Sequence, residues 1–190
     1  MTLPAPPVTP SASSVARVRR AAARGRPRGG PLMARRLRPV GTDFVETAPL
    51  RLVFAREVAA PVEAVFTALA EDVSGWSEWF SAVTLARPAG EGGREVRLRG
   101  GTRFEETVLV SKAPEVYTYR ADATNAPGLR ALVEEWRLTP AGGGTRIQWT
   151  FAADGTAVFR TALTLGRGGL GRAFRGAVTA LDRRLATATA

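Results

Sequence analysis

The 190-residue chain contains no cysteine, no histidine and a single lysine, Lys112. Without cysteine there are no disulfides, no thiolate nucleophiles and no sulfur-ligated metals; without histidine, the imidazole base and the commonest transition-metal ligand are gone. Acid/base chemistry therefore falls to Asp, Glu, Tyr, Arg or Lys112. A metal site would need oxygen ligands alone, and neither a metal nor a cofactor is expected. No apolar run approaches the roughly 18 residues of a membrane-spanning helix. Neither Arg19-Arg20 nor Arg35-Arg36 leads into an apolar stretch long enough for export, so a cytoplasmic location is expected.

Charge is plentiful but unevenly placed. Nine of the 27 basic residues, Arg17 to Arg38, precede the first acid, Asp43; from there on 18 basic residues face 17 acidic ones, a net charge of +1 in a chain whose total is +10. Residues 1–42 are rich in Pro, Ala and Gly and lack aromatics, so they are expected to form a disordered tail, with so little apolar surface to offset ordering entropy. Three meanings stay open for this tail: a solvated extension, with a true start at Met33; a targeting peptide; or a segment that binds nucleic acid or an acidic membrane. Any such macromolecular partner is assigned to residues 1–42 only. Residues 43–190 are expected to form one domain.

Alternation through Leu50, Leu52 and Phe54 predicts a first strand running to about Ala59. Pro61 suits a helix start, with Val62, Val65, Phe66 and Leu69 at helical spacing to about Glu71. A second short helix is expected within Asp72 to Trp79. Six strand-like runs follow: Val83–Arg87, Arg94–Arg99, Arg103–Val110, Glu115–Ala123, Leu132–Thr139 and Thr145–Ala152, separated by Gly- and Pro-containing turns. Leu170, Phe174, Val178, Leu181 and Leu185 predict an amphipathic helix over 170–186, with Gly166, Gly168, Gly169 and Gly171 as a hinge or loose junction before it.

The order strand, two helices, six strands, long helix resembles the helix-grip fold. Val58-Ala59-Ala60-Pro61-Val62, Asp72 through Trp76 to Trp79-Phe80, Glu134-Glu135-Trp136-Arg137, and Gly143-Gly144-Thr145-Arg146 with Trp149 are similar to segments of the START-like polyketide cyclase/dehydrase and lipid-transport superfamily (SRPBCC). The resemblance covers roughly Leu50 to Ala186. It implies an α+β fold: a curved antiparallel sheet of about seven strands wrapped around a long C-terminal helix, with two short helices after the first strand and an apolar cavity between sheet and helix.

The pleat supplies an independent expectation, because alternate strand residues face the helix. One parity collects Phe54, Val96, Phe104, Tyr117, Tyr119, Trp136, Trp149 and Phe151. The other collects Arg97, Arg99, Glu105, Thr118, Arg120, Glu135 and Thr150, expected to be wet. Three charges, Arg56, Glu106 and Glu134, fall on the inner parity, either as structural pairs or as a polar patch with Tyr117 or Tyr119. Phe80, Phe104, Tyr117, Tyr119, Trp136, Trp149, Phe151 and Phe174 are the candidate ligand-binding residues. Glu106, Glu134, Arg56 and Tyr119 are the catalytic candidates. Binding or transport of a hydrophobic small molecule is the leading expectation. The alternatives are a polyketide cyclase/dehydratase and an interaction protein acting through its Arg tail. A monomer or homodimer is expected.

Overall fold

The computed structural model describes residues 34–188. Strand β1 (Arg35–Arg36) and a short helix α1 (Phe44–Thr47) precede β2 (Leu50–Val58). Helix α2 (Val62–Phe66) follows Pro61 and continues as a π-helical turn, Thr67–Glu71, and α3 (Trp76–Trp79) comes next. Six strands then run β3 (Val83–Pro88), β4 (Gly93–Leu98), β5 (Arg103–Lys112), β6 (Val116–Thr124), β7 (Leu129–Ala141) and β8 (Gly144–Gly155), and α4 (Ala157–Ala188) closes the chain. All pairings are antiparallel, in the order β2-β8-β7-β6-β5-β4-β3, with β1 on β6. The expected turns hold: Gly100 and Gly101 between β4 and β5 take φ of 86° and 87°, a region that costs a residue with a Cβ dearly.

The inner parity is buried as the alternation requires. Tyr117, Tyr119, Trp136, Leu138, Ile147 and Trp149 pack beneath Phe174, Val178 and Leu181 of α4. Full burial of an aliphatic or aromatic side chain such as Leu181 or Phe174 stabilises by roughly 1.5–3 kcal/mol. Asp182 ties the helix to the entry of α2, its Oδ1 accepting the backbone N–H groups of Ala59 and Ala60 at 3.0 and 3.1 Å. Among the described residues no helix is long and apolar enough to cross a membrane.

Three expectations are corrected. The boundary at residue 42 lies inside the fold: Arg35 and Arg36 pair with Thr124 and Ala123, Leu37 is buried, and Arg35 donates to the carbonyls of Ala126 and Leu129 at 2.6 and 2.7 Å. β6 pairs with β7 only from Val116 to Arg120, so its last residues need another neighbour, and β1 supplies it. The expectations for residues 1–33 lie outside the described residues. Second, the outer face is not uniformly wet. Phe44 and Val45 of α1 pack on Ala131, Val133 and Ala152, and Thr118, Glu135 and Thr150 of the expected wet set are buried. Third, the glycines at 166–171 interrupt nothing, since α4 is continuous through them; its first three turns carry Val158 and Leu165 at 79% and 83% exposure.

Candidate functional site

The register of the sheet assembles a polar cluster inside an aromatic wall. Arg94 on β4 stands directly opposite Glu106 on β5, and Glu134 on β7 stands between Tyr119 on β6 and Phe151 on β8. Arg94 and Glu106 are 2% and 5% exposed, and Arg94 Nε donates to Glu106 Oε2 at 2.5 Å. The guanidinium carbon lies 3.6 Å from the centroid of the Tyr119 ring and 4.4 Å from that of Trp76, so the cation is held between π-faces as well as by its counterion. Arg94 Nη1 also reaches the Tyr117 hydroxyl at 3.4 Å.

A second chain of hydrogen bonds converges on Glu134. Trp136 Nε1–H donates to the Tyr119 hydroxyl at 3.1 Å, Tyr119 donates to Glu134 Oε2 at 2.8 Å, and Trp149 Nε1–H donates to the same oxygen at 2.8 Å. Trp136 and Trp149 are opposed in register and stack at 5.5 Å, 18° from parallel.

These surroundings set the protonation states. Burial, reinforced by the Glu106 charge, raises the Glu134 carboxyl from its ordinary 4.5 to about 7, against the opposing pull of its two donors and Arg94. Burial also pushes the Glu106 carboxyl up, while Arg94 draws it down. Burial opposes charge on Arg94, yet Glu106 together with Tyr119 and Tyr117 outweighs it, and the arginine pKa lies above its ordinary value. A guanidinium does not shed its proton, and a neutral Glu106 would leave that buried cation uncompensated, so Arg94 and Glu106 form an ion pair at neutral pH. Burial raises the Tyr119 hydroxyl well above its usual range, and the Glu134 charge adds to this.

Beside the cluster a cavity of about 130 Å³ remains under α4. Arg94, Glu106, Tyr119 and Glu134 form its polar end; Trp76, Phe80, Val96, Leu98, Phe104, Trp149 and Phe151 wall the rest, with Leu170 and Ala173 of α4 above. A wider depression between α2 and α4 is open surface, where Arg184 is engaged by Asp72 at 2.8 Å and Glu78 at 3.0 Å.

Of the expected site residues, Glu106, Glu134 and Tyr119 come together at the polar end, and Phe80, Phe104, Trp149 and Phe151 line the cavity. Tyr117, Trp136 and Phe174 belong to the core behind it. Arg56 does not join them: β2 is a sheet edge, and Arg56 is exposed there, as a long cationic side chain at an edge reaches water. The arginine of the site is Arg94, which shares the parity of Val96 and Leu98 and was legible from that alternation. Trp76, absent from the expected binding residues, also faces the cavity.

The profile of the family described as polyketide cyclase / dehydrase and lipid transport matches residues 49–186. The chain belongs to this family. An uncharacterized protein of Mycobacterium tuberculosis is 30% identical over 142 residues, spanning 72% of this chain and 84% of the relative, and its Mycobacterium bovis counterpart matches equally. Among solved structures, a START superfamily protein from Mycobacterium smegmatis superposes with a TM-score of 0.58 at 12% identity, over 72% of this chain and 97% of the other. A protein encoded in the dynemicin biosynthetic locus superposes with a TM-score of 0.53 at 19% identity, over 73% of this chain and 48% of the other. The family's helix-grip, START-like fold is the one described above, α+β with a curved antiparallel sheet gripping α4.

Proposed function

We propose that the chain binds a small hydrophobic molecule, aromatic or lipid-like, in the cavity beneath α4. The observation that carries this reading is the cavity itself: a partly open hollow beneath α4, walled by rings and aliphatic side chains, with its polar groups gathered at one end. Such a division between apolar wall and a few convergent polar groups suits an apolar ligand oriented by one functional group. At about 130 Å³ the space is smaller than the roughly 300–1,000 Å³ of drug-sized sites, which favours a ligand of one or two fused rings or a short chain.

Trp76 and Trp149 line the cavity, so indole fluorescence reports on occupancy. Titration with naphthalene should give a saturable change and a raised melting temperature. Ala173→Trp, which fills the cavity from α4, should abolish both. Absence of any saturable response in the unaltered chain defeats the reading.

A second reading, a cyclase or dehydratase acting on a polyketide-like substrate, is favoured by Glu134, a carboxyl with a pKa of about 7 that faces the cavity. In aldol closure Glu134 would take the proton from the carbon next to a carbonyl, Arg94 would polarise the acceptor carbonyl, and the proton would return to the alkoxide formed. Unchanged product formation by Glu134→Gln and Glu106→Gln variants eliminates this mechanism.

A further inference from the structure

The hydrogen-bonding capacity at the polar end is unevenly used. Both donors to Glu134 fall on Oε2, and the Arg94–Glu106 bond also uses Oε2. Among the described residues no hydrogen bond is made by Oε1 of Glu134, Oε1 of Glu106 or Nη2 of Arg94. The buried side-chain atoms sealed without a partner are instead Trp79 Nε1, Thr118 Oγ1 and Thr150 Oγ1. Because Arg94, Glu106 and Glu134 all line the cavity, these unused atoms are open to whatever occupies it. Two acceptors and one donor are on offer, and the guanidinium charge is already matched by Glu106 at 2.5 Å.

From this arrangement, and resting on the small-molecule reading above, we infer that the cavity selects a hydroxyl-bearing apolar ligand and rejects the corresponding carboxylate. One hydroxyl can accept from Arg94 Nη2 and donate to Glu134 Oε1, using both free valences at once. With Glu134 ionised, above about pH 7, a carboxylate finds no donor on that side chain and sets a third negative group beside Glu106 and Glu134 with one guanidinium among them. Like charges in such a low-dielectric site repel strongly. The plain hydrocarbon fits the walls but leaves the polar atoms unanswered, which costs affinity because their water is displaced without replacement.

The test is a matched series on the full chain at about pH 8.5, where Glu134 is ionised and 2-naphthol is still mostly neutral: naphthalene, 2-naphthol and 2-naphthoate, followed by indole fluorescence and calorimetry. A hydrogen bond to a charged group is worth about a tenfold to hundredfold gain. 2-Naphthol should therefore bind at least threefold more tightly than either of the others. Glu134→Gln, whose carbonyl still accepts from Tyr119 and Trp149, should improve 2-naphthoate binding and shrink the gap to 2-naphthol. A preference for 2-naphthol below threefold, or tighter binding of 2-naphthoate, overturns the inference while leaving the cavity reading intact. Failure of all three to bind removes that reading, and the inference falls with it.

Discussion

Arg94 and Glu106 face each other across β4 and β5 with side chains only 2% and 3% exposed and Nε to Oε2 at 2.5 Å. Removing one member of such a pair strands the other, at about 3–5 kcal/mol, whereas removing both can be nearly neutral. Glu106→Leu and Arg94→Met should each be strongly destabilising in urea unfolding, and Arg94→Met/Glu106→Leu should lose less than the sum of the two. Losses that simply add across the four chains of this cycle would show that the two side chains are not coupled.

Glu134 should make stability depend on pH. The groups around it are Tyr119 from β6, Trp149 from β8, Glu106 from β5 and Arg94 from β4. Its carboxyl titrates near 7 in the folded chain against 4.5 when unfolded, so between those values the folded chain holds a proton that the unfolded chain has released. Stability therefore falls as pH rises through this window and levels off above it, by on the order of 3 kcal/mol. Comparing Glu134→Gln with the unaltered chain isolates this from Glu106; a difference that stays constant from acid to neutral pH contradicts it.

Much of this arrangement is legible in the sequence, and its gaps have physical causes. Alternation identifies Glu106, Glu134, Tyr119 and the ring-bearing wall because the pleat is rigidly two-periodic. It equally marks Arg94, whose charge argues for solvent until its partner across the strand is known. Arg56 shares the right parity, but parity does not tell an edge strand from a central one, and at an edge a long cationic side chain can reach water. Arg35 and Arg36 look like tail by composition, since pairing with Thr124 and Ala123, some ninety residues away, leaves no local signal. The family resemblance covers Leu50 onward and is silent there too.

The glycines of α4 are distinguishable. A Cβ at Gly168 or Gly169 would meet nothing within 4 Å, while one at Gly171 would come within 2.9 Å of the Phe54 ring. Gly168→Ala and Gly169→Ala should each stabilise by about 0.5–1 kcal/mol through helix propensity. Gly171→Ala should gain less or lose outright, as the ring must move. Thermal melts of the three single variants check this, and equal gains at all three positions would refute the role given to Phe54.

Asp182 should matter beyond its own helix. Its Oδ1 accepts two backbone N–H groups at the β2–α2 junction, so Asp182→Ala leaves the exposed Ala59 N–H to water and strands the part-buried Ala60 N–H, at a cost of about 1 kcal/mol. Asp182→Asn, which keeps an acceptor, should lose less. Equal losses in chemical denaturation would assign the effect to something other than these bonds.

The two residues of β1 do more than lengthen the sheet. A chain trimmed to begin at Leu50 would keep every strand of the main path but uncover the outer backbone edge of Ala123 and Thr124. Bare strand edges invite pairing with a second molecule. Such a shortened protein should self-associate more than the longer one in sedimentation, making the short arginine-bearing strand a cover for that edge.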